Sequence, residues 1–273
     1  MKRASLLLFA AALAVAQDEG GRDTGTGPRP VVFVRARRTA ESGEIYNAAW
    51  RALESHFGVV SRRRLADFDG DPKRAEAFFA ENGDAVLVVA FGPEVLRFVP
   101  AGKPLLRVGE EGDAHVLART DRARLAQAIR AFRPGSRTVA LFGDADETLP
   151  GLHVRRCDRP EAAAGCDVAW LPEGSGRNPR ELRKALDPLG LPLVSTGADV
   201  DAGIAALSVR PDPHGLGLKV AAAMLLWARE GRPFEPTTVL RHRTVIDLVA
   251  ARAAGHEVPL GALAKADVVR RGP

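Results

Sequence analysis

Aromatic side chains are scarce in this chain: Phe, Trp and Tyr make up 5% of it, and tyrosine occurs once, at Tyr46. Small-solute sites commonly use aromatic walls, so a ring-lined pocket has few residues to draw on. Cysteine occurs twice, at Cys157 and Cys166, and the six histidines are scattered. There is no Cys-x-x-Cys and no His-x-x-x-His, so the usual spacings of a metal site are missing. Neither a metal nor a cofactor is expected. Enzyme signatures are missing too. Gly174-Ser175-Gly176 lacks the flanks of a nucleophile elbow. Gly215-Leu216-Gly217 has no third glycine at the dinucleotide spacing, and the phosphate-cradling Gly-x-x-x-x-Gly-Lys-Ser/Thr pattern occurs nowhere. A non-enzyme is therefore expected. Lys and Arg number 39 against 34 Asp and Glu. No basic stripe interleaved with aromatics appears, so nucleic acid is not an expected partner. Arg62-Arg63-Arg64 is read as a solvated strand end or turn.

What is present begins with a secretory pattern. Lys2 and Arg3 are followed by the apolar run Leu6 to Val15 and by the small residues Ala14-Val15-Ala16. That order is what signal peptidase reads, and the run is shorter than the roughly 20 residues a spanning helix needs. Residues 1–16 are expected to be a signal peptide, with a periplasmic or otherwise exported location; an uncleaved anchor is the alternative. Residues 17–30 are rich in Gly, Asp, Thr and Pro and are expected to be a disordered leader. The rest is long enough for a sizeable core and divides more naturally into two lobes than one. In an exported chain Cys157 and Cys166 could pair; two buried thiols at neighbouring strand edges is the other reading, and both stand open.

From Val31 onward, short apolar runs alternate with helical periodicity. Val31 to Val34 reads as a buried parallel strand. Glu41 to Phe57 places Ile45, Ala48, Ala49, Ala52, Leu53 and Phe57 at helical spacing. Strands are expected from Gly58, over Ala85 to Phe91 and over Lys103 to Val108, with helices over Pro72 to Glu81 and Glu94 to Val99. A second series follows. It has a helix over Asp121 to Phe132, strands over Thr138 to Phe142, Leu152 to Arg155 and Val168 to Leu171, and a helix from Asn178 to Leu186. Strands over Leu193 to Ser195 and Ala205 to Val209 close it. This alternation implies open parallel sheets with helices on both faces. A long helix over Pro213 to Glu230 carries Leu216, Val220, Ala223, Met224 and Trp227 on one face and stops at Gly231.

The carboxyl-terminal part carries a more specific order. Gly203, Asp212, Leu216-Gly217, Gly231 and Pro233 come first. Val245-Ile246-Asp247, Ala250, Ala253 and Gly255 follow, and Val258-Pro259, Leu263-Ala264 and Ala266-Asp267-Val268 finish it. From Gly203 to Val268 this resembles the uncharacterised ABC-transporter substrate-binding proteins of the bacterial periplasm. Two departures stand out. Asp247 replaces the usual Asn, and Ser208-Val209-Arg210 replaces the Tyr or Ser followed by Gly. The resemblance implies an α/β fold of two Rossmann-like lobes with parallel sheets, the type I periplasmic-binding-protein fold. Lobe 1 would comprise 31–117 plus 210–236, and lobe 2 would comprise 118–209 plus 237–273, with crossings near Ala118, Val209 and Thr237. It also implies an expected monomer that captures a small-molecule solute in an interlobe cleft and delivers it to an ABC permease in the membrane. The alternative is a sensory or interaction module with a degenerate cleft.

Ligands of open parallel sheets sit outside the carboxyl ends of the strands. On the first lobe the candidates there are Arg35, Arg37 and Thr39, then Phe91 and Gly92. On the second they are Gly143, Asp144, Glu173 and Thr196, with Arg210 at a crossing. The arginines could grip a carboxylate or phosphate through paired hydrogen bonds, or could pair with Glu41 or Glu44 in a solvated loop. Phe91 could stack on a planar solute or belong to the core. Thr39 could instead cap the following helix.

Overall fold

The computed structural model describes residues 29–35, 40–56, 60–109, 114–143, 147–172, 175–197, 203–231, 233–238 and 241–272. The signal segment and most of the leader lie outside the described residues. Among the described residues no helix is long and apolar enough to cross a membrane.

Period-two alternation builds the first sheet. Strand β1 spans Arg29–Arg35. It sends Val31 and Phe33 into one core and Val32 and Val34 into another. β3, Leu87–Phe91, does the same, with Leu87, Val89 and Phe91 on the first side and Val88 and Ala90 on the second. Successive side chains point to opposite faces, so a strand apolar at every position must be covered twice. Helix α1, Ala40–Leu53, covers one face. Helix α2, Pro72–Glu81, and a 3-10 turn over Pro93–Phe98 cover the other, where Phe68, Phe78, Phe79 and Phe98 meet edge-on or tilted. The 3-10 form replaces the expected helix because Pro100 holds Val99 extended and leaves room for little more than one turn. With β2 at Val60–Asp67, β4 at Leu105–Gly109, β5 at Val116–Leu117 and β11 at Thr237–Thr238, the order is β11-β5-β4-β3-β1-β2, all parallel.

Two expectations are corrected here. β1 starts two residues inside the stretch read as leader: Arg29 pairs with Val60, and Pro30 O accepts from Val86 N–H at 2.9 Å. A proline at the start of a strand withholds no ladder donor that is needed. Arg62-Arg63-Arg64 is neither a strand end nor a turn. It lies inside the edge strand β2, where Val31 pairs with Arg62 and Val32 with Arg64 across a bulge.

The second sheet repeats the plan. Its strands are β6 at Thr138–Leu141, β7 at His153–Arg156, β8 at Val168–Leu171, β9 at Leu193–Ser195, β10 at Leu207–Pro211, β12 at His242–Asp247 and β13 at Val268–Arg270. The order is β13-β12-β10-β9-β8-β6-β7. Helix α3, Arg122–Phe132, covers one face with Leu125, Ile129 and Phe132; α4, Pro179–Leu186, covers the other with Leu182 and Leu186. Asp121 and Asn178 cap them, each accepting two backbone N–H groups. One pair departs from the expected parallel pattern: β12 runs antiparallel to β10. The chain reaches β12 directly from β11 in the first sheet, so it enters from the carboxyl-end rim and runs the other way. Cys157 and Cys166 are free, buried thiols of the α4 face.

Asp247 rationalises one departure from the resemblance. It ends β12 and caps α6, Leu248–Ala253, through Val249 and Ala250 N–H, both at 3.0 Å. Its other oxygen accepts from Gly203 N–H at 2.7 Å. A carboxylate has two accepting oxygens for this task, whereas an amide has one. A short helix α7, Leu260–Leu263, then leads into β13.

Helix α5, Pro213–Glu230, belongs to the first sheet's core although its chain neighbours β10 and β12 belong to the second sheet. Leu216, Val220, Ala221, Met224 and Ala228 form its buried stripe, while Ala223 and Trp227 are only partly covered. It crosses α1 at Gly217, where an added Cβ would stand 2.6 Å from Ile45 O and 2.8 Å from Ala49 N. Those are backbone atoms, so relief requires the helices to part. Gly217→Ala is expected to lower stability by about 1–3 kcal/mol. Gly261→Ala, which meets nothing within 4 Å, should leave the thermal midpoint near its starting value. Equal midpoints for the two variants in a thermal melt would contradict the tight crossing.

His56, His115 and His256 are each held below the ordinary imidazole value of 6.5, chiefly by burial. Arg229 adds repulsion at His56 and Arg107 at His115. At His256 the acceptor Phe132 O works the other way, and Arg133 adds repulsion. A lowered value means that the folded state binds fewer protons than the unfolded one. The stability these rings contribute is therefore complete above 6.5 and is lost as the pH falls below it. The urea midpoint should be lower at about pH 5.5 than at about pH 7.5; identical midpoints would refute the desolvation of these rings.

Candidate functional site

The carboxyl ends of both sheets carry the residues expected there, and the register joins several of them. Arg35 ends β1 and is the direct partner of Phe91, which ends β3, and of Asp67, which ends β2. Arg35 is 6% exposed. Its Nε and Nη2 donate to the Asp67 carboxylate, the second bond at 3.1 Å, and Nη1 donates to Ser42 Oγ at 2.5 Å. This guanidinium thus braces β1 against β2 and against the first turn of α1. Among the described residues Asp67 is an acid that it meets. Phe91 lies with its ring over Phe33, centroids 6.1 Å apart, and Phe33 meets Tyr46 edge-on at 4.9 Å. The Phe91 ring is therefore part of the core, while its backbone marks the rim. Gly92 follows at φ +80°, donates its N–H to Val108 O at 2.8 Å and opens the 3-10 turn.

On the second sheet Gly143 lies just beyond β6. A Cβ there would come within 2.6 Å of Pro172 Cγ, so a glycine lets the loops after β6 and β8 close on each other. Thr196, 3% exposed, follows β9 and donates its N–H to Leu171 O at 3.3 Å. Gly143, Pro172 and Thr196 thus form one stretch of rim. Arg210 is half-buried near the end of β10 and pairs in register with Arg243. Arg37, Thr39, Asp144 and Glu173 lie outside the described residues. Among the described residues no three His, Cys, Asp or Glu side chains gather as metal ligands.

The passages of the chain between the sheets are stitched to one another. Thr120 Oγ1 donates to Val209 O at 3.4 Å, and Asp121 N–H donates to His242 Nε2 at 2.9 Å. Asp212 N–H donates to Arg241 O at 2.9 Å. Around this point lies a charged group that the strand-end rule did not select. Asp212, 4% exposed, accepts from Arg241 Nε and from Arg243 Nη2, both at 3.1 Å, and Arg243 Nη1 donates to Glu44 Oε2 at 2.8 Å. The Arg243 guanidinium is held above its ordinary value. Burial acts against its charge and is outweighed by Glu44 and then by Asp212. The signal was present in the spacing, since Arg241 immediately precedes β12 and lies two residues before Arg243, the separation that puts side chains of an extended chain on one side. A separate hollow of about 430 Å³, lined by Leu248, Arg252, His256 and Val258 among others, lies beside α6.

No protein-family model matches the sequence, and no curated protein does. Solved structures do resemble the fold. The ligand-free, open structure of CD0873, a substrate binding protein with adhesive properties from Clostridium difficile, superposes with a TM-score of 0.66 at 12% identity. It covers 89% of this chain and 100% of that one. The ABC domain in complex with L-Trp from Streptococcus pneumonia gives 0.61 at 16% identity, over 88% and 99%. AraP, an arabinose binding protein from Geobacillus stearothermophilus, gives 0.56 at 13% identity, over 82% and 99%. The chain therefore has the two-lobed α/β fold of the type I periplasmic binding proteins. This bears out the fold expected from the carboxyl-terminal resemblance.

The Arg35–Asp67 pair separates a bracing role from a ligand role. Asp67→Ala would remove the carboxylate that accepts two of the bonds of the buried Arg35 guanidinium and should destabilise the free protein by roughly 2–4 kcal/mol in urea unfolding. An unchanged unfolding free energy would show that Arg35 is not held by this carboxylate.

Proposed function

We propose that this chain is an exported, non-enzymatic binding protein that captures a small solute between its lobes for an ABC importer. The observation that carries the reading is the pair of parallel sheets with Arg35, Phe91 and Gly92 at one carboxyl-end rim and Gly143, Thr196 and Arg210 at the other. Repeated passages of the chain between the sheets, stitched at Asp121, Asp212 and His242, suit closure about a hinge. The lobes are taken as 31–117 with 210–236 and 118–209 with 237–273, with β11 remaining in the first sheet across the last boundary. A solute that prefers the closed arrangement shifts the population toward it. Two of the proteins similar in fold are a domain in complex with L-Trp and an arabinose binding protein, so amino acids and sugars lead the candidate list. The working unit is a monomer, its membrane partner is a permease, and nucleic acid has no part.

The second reading, a sensory or interaction module with a degenerate cleft, draws on two observations. Phe91 is packed against Phe33, and Arg35 is engaged by Asp67 and Ser42, so these two rim side chains serve the scaffold. A thermal-shift panel of amino acids, sugars and small anions separates the readings. A true solute at about a hundredfold above its dissociation constant adds about 2.7 kcal/mol of stability. A raised melting temperature with one class of solute is the expected outcome; a flat panel would overturn the transport reading.

A further inference from the structure

Arg243 belongs to β12 of the second sheet, yet both of its contacts lie outside that sheet. One arm donates to Asp212, at the passage from β10 into α5; the other donates to Glu44 on α1, a residue 199 positions away in the chain. The two ends differ in kind. The Asp212 side chain is 6% exposed and also holds Arg241, and although it stands at the N-cap position of α5 it makes no side-chain cap bond. Its carboxylate is committed to the arginines. The Glu44 side chain is 47% exposed, so water and salt compete for it. α1 is locked against α5 at Gly217, so a pull on Glu44 is a pull on the first lobe as a body.

We infer that Arg243 is a latch between the lobes: its bond to Asp212, at the passage of the chain from one lobe to the other, is the pivot, its bond to Glu44 on the first lobe is the releasable end, and the releasable end sets how far the solute-free lobes swing apart. The inference rests on the two-lobed closure proposed above but on no particular solute. A partly exposed ion pair weakens as salt screens it, so the swing should depend on ionic strength through this one pair.

The test uses the full chain without solute. Spin labels at Glu94→Cys and Arg180→Cys, both exposed and one on each lobe, report the interlobe distance, while the buried native thiols stay unlabelled. At about 50 mM NaCl the latched distance should dominate, and at about 1 M NaCl the wider population should grow. Glu44→Gln should show that wider population at both salt levels, raised about two- to fivefold over the parent at low salt, the range an exposed pair supports. Arg243→Lys keeps the charge but has no fork to serve both carboxylates, and should fall between the two. Glu44 is exposed, so its variant should melt cooperatively near the parent, and a melt confirms this. Identical distance distributions for parent and Glu44→Gln at both salts would overturn the latch. That result would leave the thermal-shift panel unaffected, whereas a flat panel with a salt-dependent swing would retain the latch and remove the solute.

Discussion

The crossing of α5 over α1 is the constraint on which the rest of the molecule depends. The first sheet buries both faces, and one of them is closed only when α5 returns from the second sheet to lie beside α1. Gly217 lets the two backbones approach closely enough for Leu216, Val220 and Met224 to reach Val31, Phe33 and Leu87. Without that return the first sheet would expose an apolar face, β11 would have no reason to sit beside β5, and the charged group around Asp212 would have no fixed position. The two sheets thus form one molecule because a late helix completes an early core.

Much of this was legible in the sequence because the strands are apolar at consecutive positions. Val31 to Val34, Leu87 to Phe91 and Val168 to Leu171 can be nothing but doubly covered strands, and Asn178-Pro179 and Asp121 announce their helices by cap chemistry. What escaped was decided by distant parts of the chain. Arg62-Arg63-Arg64 looks like a solvated turn until β1 is placed beside it, because an edge strand tolerates charge that a central strand would not. The reversed β12 could not be read locally either, since its direction follows from which sheet the chain has just left. β13 is three residues long and takes its register from β12.

The candidate site was legible in position more than in role. The strand-end rule located Arg35, Phe91 and Thr196 at the carboxyl-end rims, as topology requires. It could not say that Arg35 would meet Asp67 from the end of the neighbouring strand, or that Phe91 would turn toward Phe33. Such partners are 32 or more residues away in sequence, and only the sheet register brings them together. The Glu44–Arg243–Asp212 group is the extreme case: three passages of chain must already be folded before its members are neighbours.

The late arrival of α5 also orders events in time. A chain made from its amino end has β1 to β5 in hand early, but those strands keep one oily face bare until Leu216 to Ala228 emerge. The parallel portion of the second sheet, β6 to β10, is contiguous and can consolidate by itself in the meantime. The module that is first in the gene therefore waits for a late helix before its core is closed, and until then it stays exposed to any chaperone that shields greasy surface.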